Sequence, residues 1–130
     1  MLEPDPEQDR VARQIVDSAF AVHTALGPGL LETVYEQCLN HELLSRRLSV
    51  RRQVQQPISY RGVQIDAGFR LDMVVAECVV VEVKAVERLI AVHEAQLLTY
   101  LKLSGFRLGL LINFNVPLVK HGIRRIIRPI

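Results

Sequence analysis

Three charged residues interrupt stretches of the sequence that are otherwise apolar: Asp72 in LDMVV, and Glu82 and Lys84 in CVVVEVK. Side chains alternate between the two faces of a strand, so Glu82 and Lys84 share one face. A buried carboxylate carries a large desolvation cost, and an ion pair does not reliably recover it. A bound divalent cation would compensate for the buried charge. Oxygen ligands favour Mg²⁺ or Mn²⁺ over Zn²⁺, which prefers His and Cys.

Asp72 belongs to this group only if it faces Glu82 across a hairpin. Opposed residues of an antiparallel pair share a face. The numbers of two paired residues have the same sum all along the hairpin, and this sum must be even if Asp72 is to pair with Glu82. The sequence therefore predicts a three-residue turn centred on Glu77, or a bulge that corrects the parity. Two other interpretations stay open: the end of the strand carrying Glu82 and Lys84 is solvated, or Asp72 pairs with Arg70.

Hydrophobic periodicity predicts the elements that position these residues. Residues 1–8 are expected to be a flexible arm, and residues 9–130 a single domain. The first element of the domain is a helix that ends before Gly27-Pro28-Gly29. The later elements are a helix over Leu30 to Arg47, strands over Val50 to Tyr60, Val63 to Val75 and Cys78 to Lys84, a helix over 90–103, and strands over Arg107 to Phe114 and Ile123 to Ile127. Interruptions are expected at Pro57 and near Gly68.

The order of these elements, ααβββαβ with a last short strand, predicts an α/β fold in which helices flank a mixed β-sheet. The first three strands are expected to form an antiparallel meander. The helix over 90–103 then crosses over to a parallel strand.

Composition limits the function classes. The 130 residues are 49% hydrophobic and carry a net charge of only +2, which excludes disorder and nucleic-acid binding by overall charge alone. The 5% aromatic content argues against a platform for stacking single-stranded bases. Cys38 and Cys78 have no zinc-site spacing and indicate a reduced, cytoplasmic protein. No signal peptide or membrane-spanning run is found, so no membrane partner is expected.

Three further segments carry a family resemblance: GLLETVY at 29–35, HEAQLLTYLKLSG at 93–105 and LGLLINFNVPL at 108–118. Together with Asp72 and Glu82-Val83-Lys84, they resemble the GxxExxY proteins, a branch of the PD-(D/E)XK nuclease superfamily. The sequence departs from the superfamily's pattern at Leu71, where the Pro before the Asp is missing. The resemblance implies a restriction-endonuclease-like fold and a phosphodiesterase site that uses Mg²⁺ or Mn²⁺.

The resemblance also implies roles for individual residues. Asp72 and Glu82 would be metal ligands, with the main-chain carbonyl of Val83 as an extra ligand. Glu32 would complete the ligand shell or hold a water molecule beside the ion. Lys84 would orient or deprotonate the attacking water, or neutralise charge on the scissile phosphate.

The helix over 90–103 adds three residues at helical spacing. His93, Gln96 and Tyr100 fall on one stripe. The resemblance places Gln96 and Tyr100 beside the active site. His93 is interpreted as a phosphate contact or proton shuttle, or as a packed or surface residue.

Basic clusters at Arg51 and Arg52 and at Arg124 and Arg125 are candidate contacts to a phosphate backbone, although solvated charge is the commoner explanation. The function expected from the resemblance is a nuclease, an endo- or exonuclease that prefers DNA over RNA. The alternative is a non-catalytic nucleic-acid-binding or assembly module with the same fold. An exposed edge strand over Val50 to Tyr60 would suit a homodimer.

Overall fold

The computed structural model describes residues 5–66 and 68–129, and in them three α-helices and seven strands. These elements are α1 (Pro6–Leu26), α2 (Glu32–Ser45), β1 (Val50–Gln55), β2 (Ile58–Tyr60), β3 (Val63–Ile65), β4 (Arg70–Val75), β5 (Val79–Lys84), α3 (Ala91–Ser104), β6 (Leu108–Asn113) and β7 (Ile123–Ile127). A short 3-10 helix, Val119–Gly122, precedes β7.

Five strands form one sheet in the order β1-β4-β5-β6-β7. The pairs β1–β4, β4–β5 and β6–β7 are antiparallel, whereas β5 and β6 are parallel and joined through α3. The predicted α/β fold is confirmed, as are the meander and the crossover. β1 lies at one edge of the sheet, as expected. β2 and β3 pair only with each other and form a separate hairpin.

Helices cover both faces of the five-stranded sheet. Residues of α1 and α2, such as Ile15 and Leu39, pack with Val81 and Leu110 on one face. On the other face, Leu97 and Leu101 of α3 pack with Val80 and Leu111. β5 is therefore buried along nearly its whole length, which is why its sequence is almost entirely apolar. No described helix combines the length and apolar character needed to cross a bilayer.

The ends of the helices differ from the sequence-based expectation. Residues 1–8 were expected to be an arm, but α1 begins at Pro6, because the Asp5 carboxylate accepts a hydrogen bond from the Gln8 amide at 2.8 Å and caps the helix. Residues 1–4 of the expected arm lie outside the described residues. α2 begins at Glu32 rather than Leu30, and Leu30 and Leu31 are exposed.

The two long predicted strands are each split in two. The first ends at Gln55, before Pro57, which has no amide to donate to a ladder. The second is broken around Gly68, whose φ of 74° lies in the left-handed region that favours glycine. These breaks separate the β2–β3 hairpin from the main sheet.

Candidate active site at the β4–β5 hairpin

The β4–β5 register brings Asp72 level with Glu82. Val75 pairs with Val79, and Met73 pairs with Val81, around a turn formed by residues 76–78. The turn has three residues centred on Glu77, as the parity argument predicts. Extending the register by one residue beyond Met73 and Val81 sets Asp72 opposite Glu82.

Beyond Met73 the two strands are joined through side chains instead of backbone pairs. The amide of Asp72 donates to Glu82 Oε1 at 3.2 Å, and the amide of Val83 donates to Asp72 Oδ2 at 2.9 Å. The amide and carbonyl of one strand residue point to the same edge, so the carbonyl of Val83 also faces β4. The two carboxylates and this carbonyl therefore lie between the separating strands. Among the described residues, Arg70 makes no ion pair with Asp72.

The regular alternation of β4 breaks at Asp72. Met73 and Val75 pack on the face covered by α1 and α2, whereas Leu71 packs with α3, although alternation would put it beside Met73. The register of β1 with β4 places Gln53 opposite Asp72, and Gln53 has a φ of 51°. This distortion in both strands lets the Asp72 carboxylate reach the backbone of β5.

Burial shifts the protonation of the carboxylate pair. Glu82 is only 6% exposed, and burial together with the neighbouring Asp72 charge raises its pKa to about 8. Burial also raises the pKa of Asp72, an effect opposed by the hydrogen bond from Val83. Glu82 is therefore not solvated, which contradicts the interpretation of a frayed strand end. A buried and a half-buried carboxylate this close favour either a shared proton or a cation.

Lys84 and Glu32 complete the charged cluster. Glu32 is the first residue of α2 and is exposed, but partial desolvation of its carboxylate raises its pKa, an effect that the positive charge of Lys84 opposes. The positive charge of Lys84 lowers the pKa of Glu32, of Asp72 and of Glu82. Lys84 is half-buried at the end of β5. The structure thus brings together the four charged residues that the sequence singled out.

The Gly29, Glu32 and Tyr35 positions of the GLLETVY segment have a structural explanation. The Tyr35 hydroxyl donates to the Gly27 carbonyl at 2.6 Å and accepts from the Leu30 amide at 3.1 Å. Its ring stacks on Phe114, with centroids 4.7 Å apart. Gly29 has a φ of 97° and donates from its amide to the Asn115 side chain at 3.0 Å. Tyr35 and Gly29 therefore fix the loop that delivers Glu32 to the cluster.

Asn113 fixes the chain on the other side of Lys84. Its side chain is buried and makes paired hydrogen bonds with Val86, accepting from the amide and donating to the carbonyl, each at 3.0 Å. Because Val86 follows Lys84 by two residues, Asn113 holds the exit of β5 in place.

Helix α3 contributes one of its three predicted residues to the cluster. Tyr100 is buried in the cluster that contains Leu71, the residue before Asp72, and its pKa is raised by burial and by the charges of Glu82 and Asp72. Gln96 is exposed, and no hydrogen bond joins it to the carboxylates among the described residues. His93 Nδ1 accepts a hydrogen bond from the Ile90 amide at 3.1 Å, so that nitrogen stabilises the N-terminus of α3.

The sequence-based prediction did not include two residues that lie near the site, Glu36 and Gln53. Glu36 is 6% exposed, forms a 3.0 Å ion pair with Arg52, and accepts from Gln53 Nε2 at 3.0 Å. Its charge also raises the pKa of Asp72. Its spacing of four from Glu32 is a signal for a shared helix face that could have found it. Nothing in the residue type of Gln53 signals its positive φ.

Three of the four arginines predicted to bind substrate have carboxylate partners within the protein. Arg51 pairs with Glu77 at 2.6 Å, Arg52 pairs with Glu36, and Arg125 pairs with Asp9 at 3.1 Å. Arg124 instead donates to backbone carbonyls. It is exposed and shares a row of the sheet with Leu111 and Glu82, two strands and so about 10 Å from Glu82.

The donor set of the cluster fits a small divalent cation. Mg²⁺ is usually held by one or two carboxylates and keeps several waters, and Asp72, Glu82 and the Val83 carbonyl supply such oxygen ligands. Among residues 5–66 and 68–129, no three His, Cys, Asp or Glu side chains are close enough together to hold an ion by themselves. Of the predicted ligands, Asp72, Glu82 and Val83 are joined by hydrogen bonds, whereas the described structure does not group Glu32 with the two carboxylates.

The comparison with protein families agrees with this geometry. A family model described as PD-(D/E)XK nuclease superfamily matches residues 9–126. No curated protein and no solved structure gave a match. The matched region includes every residue of the charged cluster. The chain therefore belongs to the PD-(D/E)XK nuclease superfamily.

Proposed function

We propose that this protein is a metal-dependent nuclease that hydrolyses phosphodiester bonds of nucleic acid, DNA in preference to RNA, and that it belongs to the GxxExxY branch. The observation that carries the proposal is the convergence of Asp72 and Glu82, from paired strands, beside Lys84. Superfamily membership supports the reaction class. The preference for DNA rests on the wider superfamily.

The residues that would hold Mg²⁺ or Mn²⁺ are Asp72, Glu82 and the carbonyl of Val83. When bound, the ion polarises the phosphoryl oxygen and makes water a better nucleophile. Glu32 would hold a water molecule at the rim of the site, because its carboxylate is near Lys84 and Asp72 without closing a three-carboxylate cluster.

Lys84 would act on the substrate as a fixed positive charge. Its charge lowers the pKa of three carboxylates, and among the described residues it forms no ion pair, so its ammonium can turn to a bound phosphate. An ammonium in that place stabilises the negative charge that develops on the phosphoryl oxygens, and it can orient the attacking water. The hydroxyl of Tyr100, whose pKa the charges of Glu82 and Asp72 raise, would contact the water or a phosphate oxygen.

Cleavage of a supercoiled plasmid and of a labelled single strand tests this function directly. We expect hydrolysis with Mg²⁺ or Mn²⁺ and none with EDTA. Asp72→Asn and Lys84→Ala should each lower the rate at least about 100-fold. Asp17→Asn and Lys120→Ala are matched controls at exposed positions and should cleave like the unchanged protein. Equal cleavage by all five preparations would reveal a contaminating nuclease and overturn the proposal.

A second function is favoured by one observation. Both carboxylates of the pair already accept backbone hydrogen bonds across the β4–β5 hairpin, a structural role that suits a domain that binds nucleic acid or assembles with it without cutting. Calorimetric binding of a DNA duplex that is equal in Mg²⁺ and EDTA, with no cleavage, would support this alternative.

A further inference from the structure

The β2–β3 hairpin presents an apolar face to solvent. Ile58 pairs with Ile65, and Tyr60 pairs with Val63, so these four side chains share one face. Tyr60 is 57% exposed, Val63 60% and Ile65 42%. A two-stranded hairpin is marginally stable alone, and a contiguous exposed apolar face of this kind marks an interaction surface.

The base of the hairpin is attached to the side of the molecule that holds the active site. The Phe69 ring centre lies 6.0 Å from that of Tyr100, and Phe69 directly precedes β4, the strand that carries Asp72. Gln56 donates from its amide to the Phe69 carbonyl at 2.8 Å and from its side chain to the Leu103 carbonyl of α3 at 3.2 Å. The hairpin therefore extends from β1 and β4 next to the charged cluster.

The charge of the hairpin suits a polyanion. Arg61, at the tip, lies with its guanidinium carbon 5.4 Å from the centre of the Tyr60 ring. Arg70 stands at the base, and Asp66 is the one carboxylate between them in the sequence. Within the described part of the chain no carboxylate forms an ion pair with Arg61 or Arg70, in contrast to Arg51, Arg52 and Arg125. These two cations are thus available to a phosphate backbone.

We propose that the β2–β3 hairpin is a substrate-binding arm, in which Arg61 contacts a backbone phosphate while Tyr60, Val63 and Ile65 cover the apolar surface of neighbouring sugars and bases. This rests on the proposed function, since it names the surface that holds nucleic acid beside the cluster. A second copy of the chain is the less favoured occupant. A twofold contact through this face would bring two hairpins of net positive charge together.

Binding is tested in the Lys84→Ala background with Mg²⁺, so that the nucleic acid stays intact. The probes are a fluorescein-labelled 30-base-pair duplex and its single strand, followed by anisotropy at several salt concentrations. Tyr60→Ala should weaken binding at least about fivefold. Arg61→Ala should lower the slope of log affinity against log salt by about 0.7–0.9, the loss of one phosphate contact. Arg13→Ala removes an exposed charge from α1, on the other face of the sheet, and should change neither value.

The outcomes separate this proposal from the nuclease function. Equal affinity and salt slope in the parent, Tyr60→Ala and Arg61→Ala proteins overturn the binding arm, even if the unchanged protein cleaves DNA. A parent protein that binds neither probe also overturns it. If light scattering finds a dimer that Tyr60→Ala converts to a monomer while affinity is unchanged, the face is an interface between chains. Weakened binding supports the arm, even if no preparation cleaves.

Discussion

The backbone amide of Asp72 donates a hydrogen bond to the Glu82 carboxylate, 3.2 Å away, where a regular antiparallel ladder would use a backbone carbonyl. The Asp72 carboxylate in turn accepts a hydrogen bond from the amide of Val83, the residue after Glu82. The two carboxylates thus join β4 to β5 through hydrogen bonds to backbone amides. That arrangement keeps both groups between the strands and out of bulk water.

This relationship predicts an unusual pH dependence for the metal-free protein. The folded state holds the pKa of Glu82 near 8, well above its value in the unfolded chain. Between about pH 4.5 and 8 the unfolded state loses a proton that the folded state retains, so the free energy of unfolding should fall as pH rises. The slope from this one group is at most roughly 1.4 kcal/mol per pH unit.

Urea unfolding in EDTA across that pH range measures the effect. Glu82→Gln should flatten the decline, whereas the exposed control Glu87→Gln should retain it. Millimolar Mn²⁺ should raise the free energy of unfolding most at pH 8, where Glu82 is protonated in only about half of the folded molecules and the ion displaces the fewest protons. A decline of the same steepness in Glu82→Gln would show that Glu82 is not the group responsible.

Tyr35 is predicted to be a positioning residue. Tyr35→Phe keeps the stack on Phe114 but removes the two hydrogen bonds to Gly27 and Leu30. We expect a loss of about 1–2 kcal/mol in the free energy of unfolding. Nuclease activity should fall further than stability explains, because the loop that places Glu32 loosens. Thr24→Val, which removes an exposed hydroxyl from α1, is the control, and an identical result for both variants would contradict the role assigned to Tyr35.

Asn113 is predicted to hold the chain beyond Lys84. Asn113→Leu has similar volume but leaves the amide and carbonyl of Val86 without their partners. We expect a loss of at least about 2 kcal/mol, measured by thermal and urea unfolding. Gln37→Leu, at an exposed position on α2, should be close to neutral. Equal unfolding midpoints for Asn113→Leu and the unchanged protein would show that Asn113 does not hold the chain at Val86.

The sequence was most informative where periodicity and parity decide the structure. The apolar run of β5 and the even sum of 72 and 82 together predict that Asp72 faces Glu82 around a turn centred on Glu77. Spacing suffices for this because a turn of three residues keeps the register sum even, although the alternation of β4 itself breaks at Asp72, where Leu71 packs on the face opposite to Met73.

The parts that the sequence did not predict depend on partners distant along the chain. The positive φ of Gln53 accompanies a contact with Glu36 on α2, and the pairing of Arg52 depends on the same residue. The start of α1 at Pro6 depends on a cap at Asp5, which the acidic, proline-containing N-terminus obscured. Local pattern carries no information about such contacts, so Arg52 was predicted to bind substrate.

A crystal of this protein soaked in Mn²⁺ tests the central claim most directly, because the ion scatters anomalously and its ligands can be identified. We expect one anomalous peak between β4 and β5, about 2.0–2.4 Å from carboxylate oxygens of Asp72 and Glu82, and loss of that peak in Asp72→Asn. A Mn²⁺ peak elsewhere, or no peak while the two carboxylates keep their hydrogen bonds to the backbone, would contradict it.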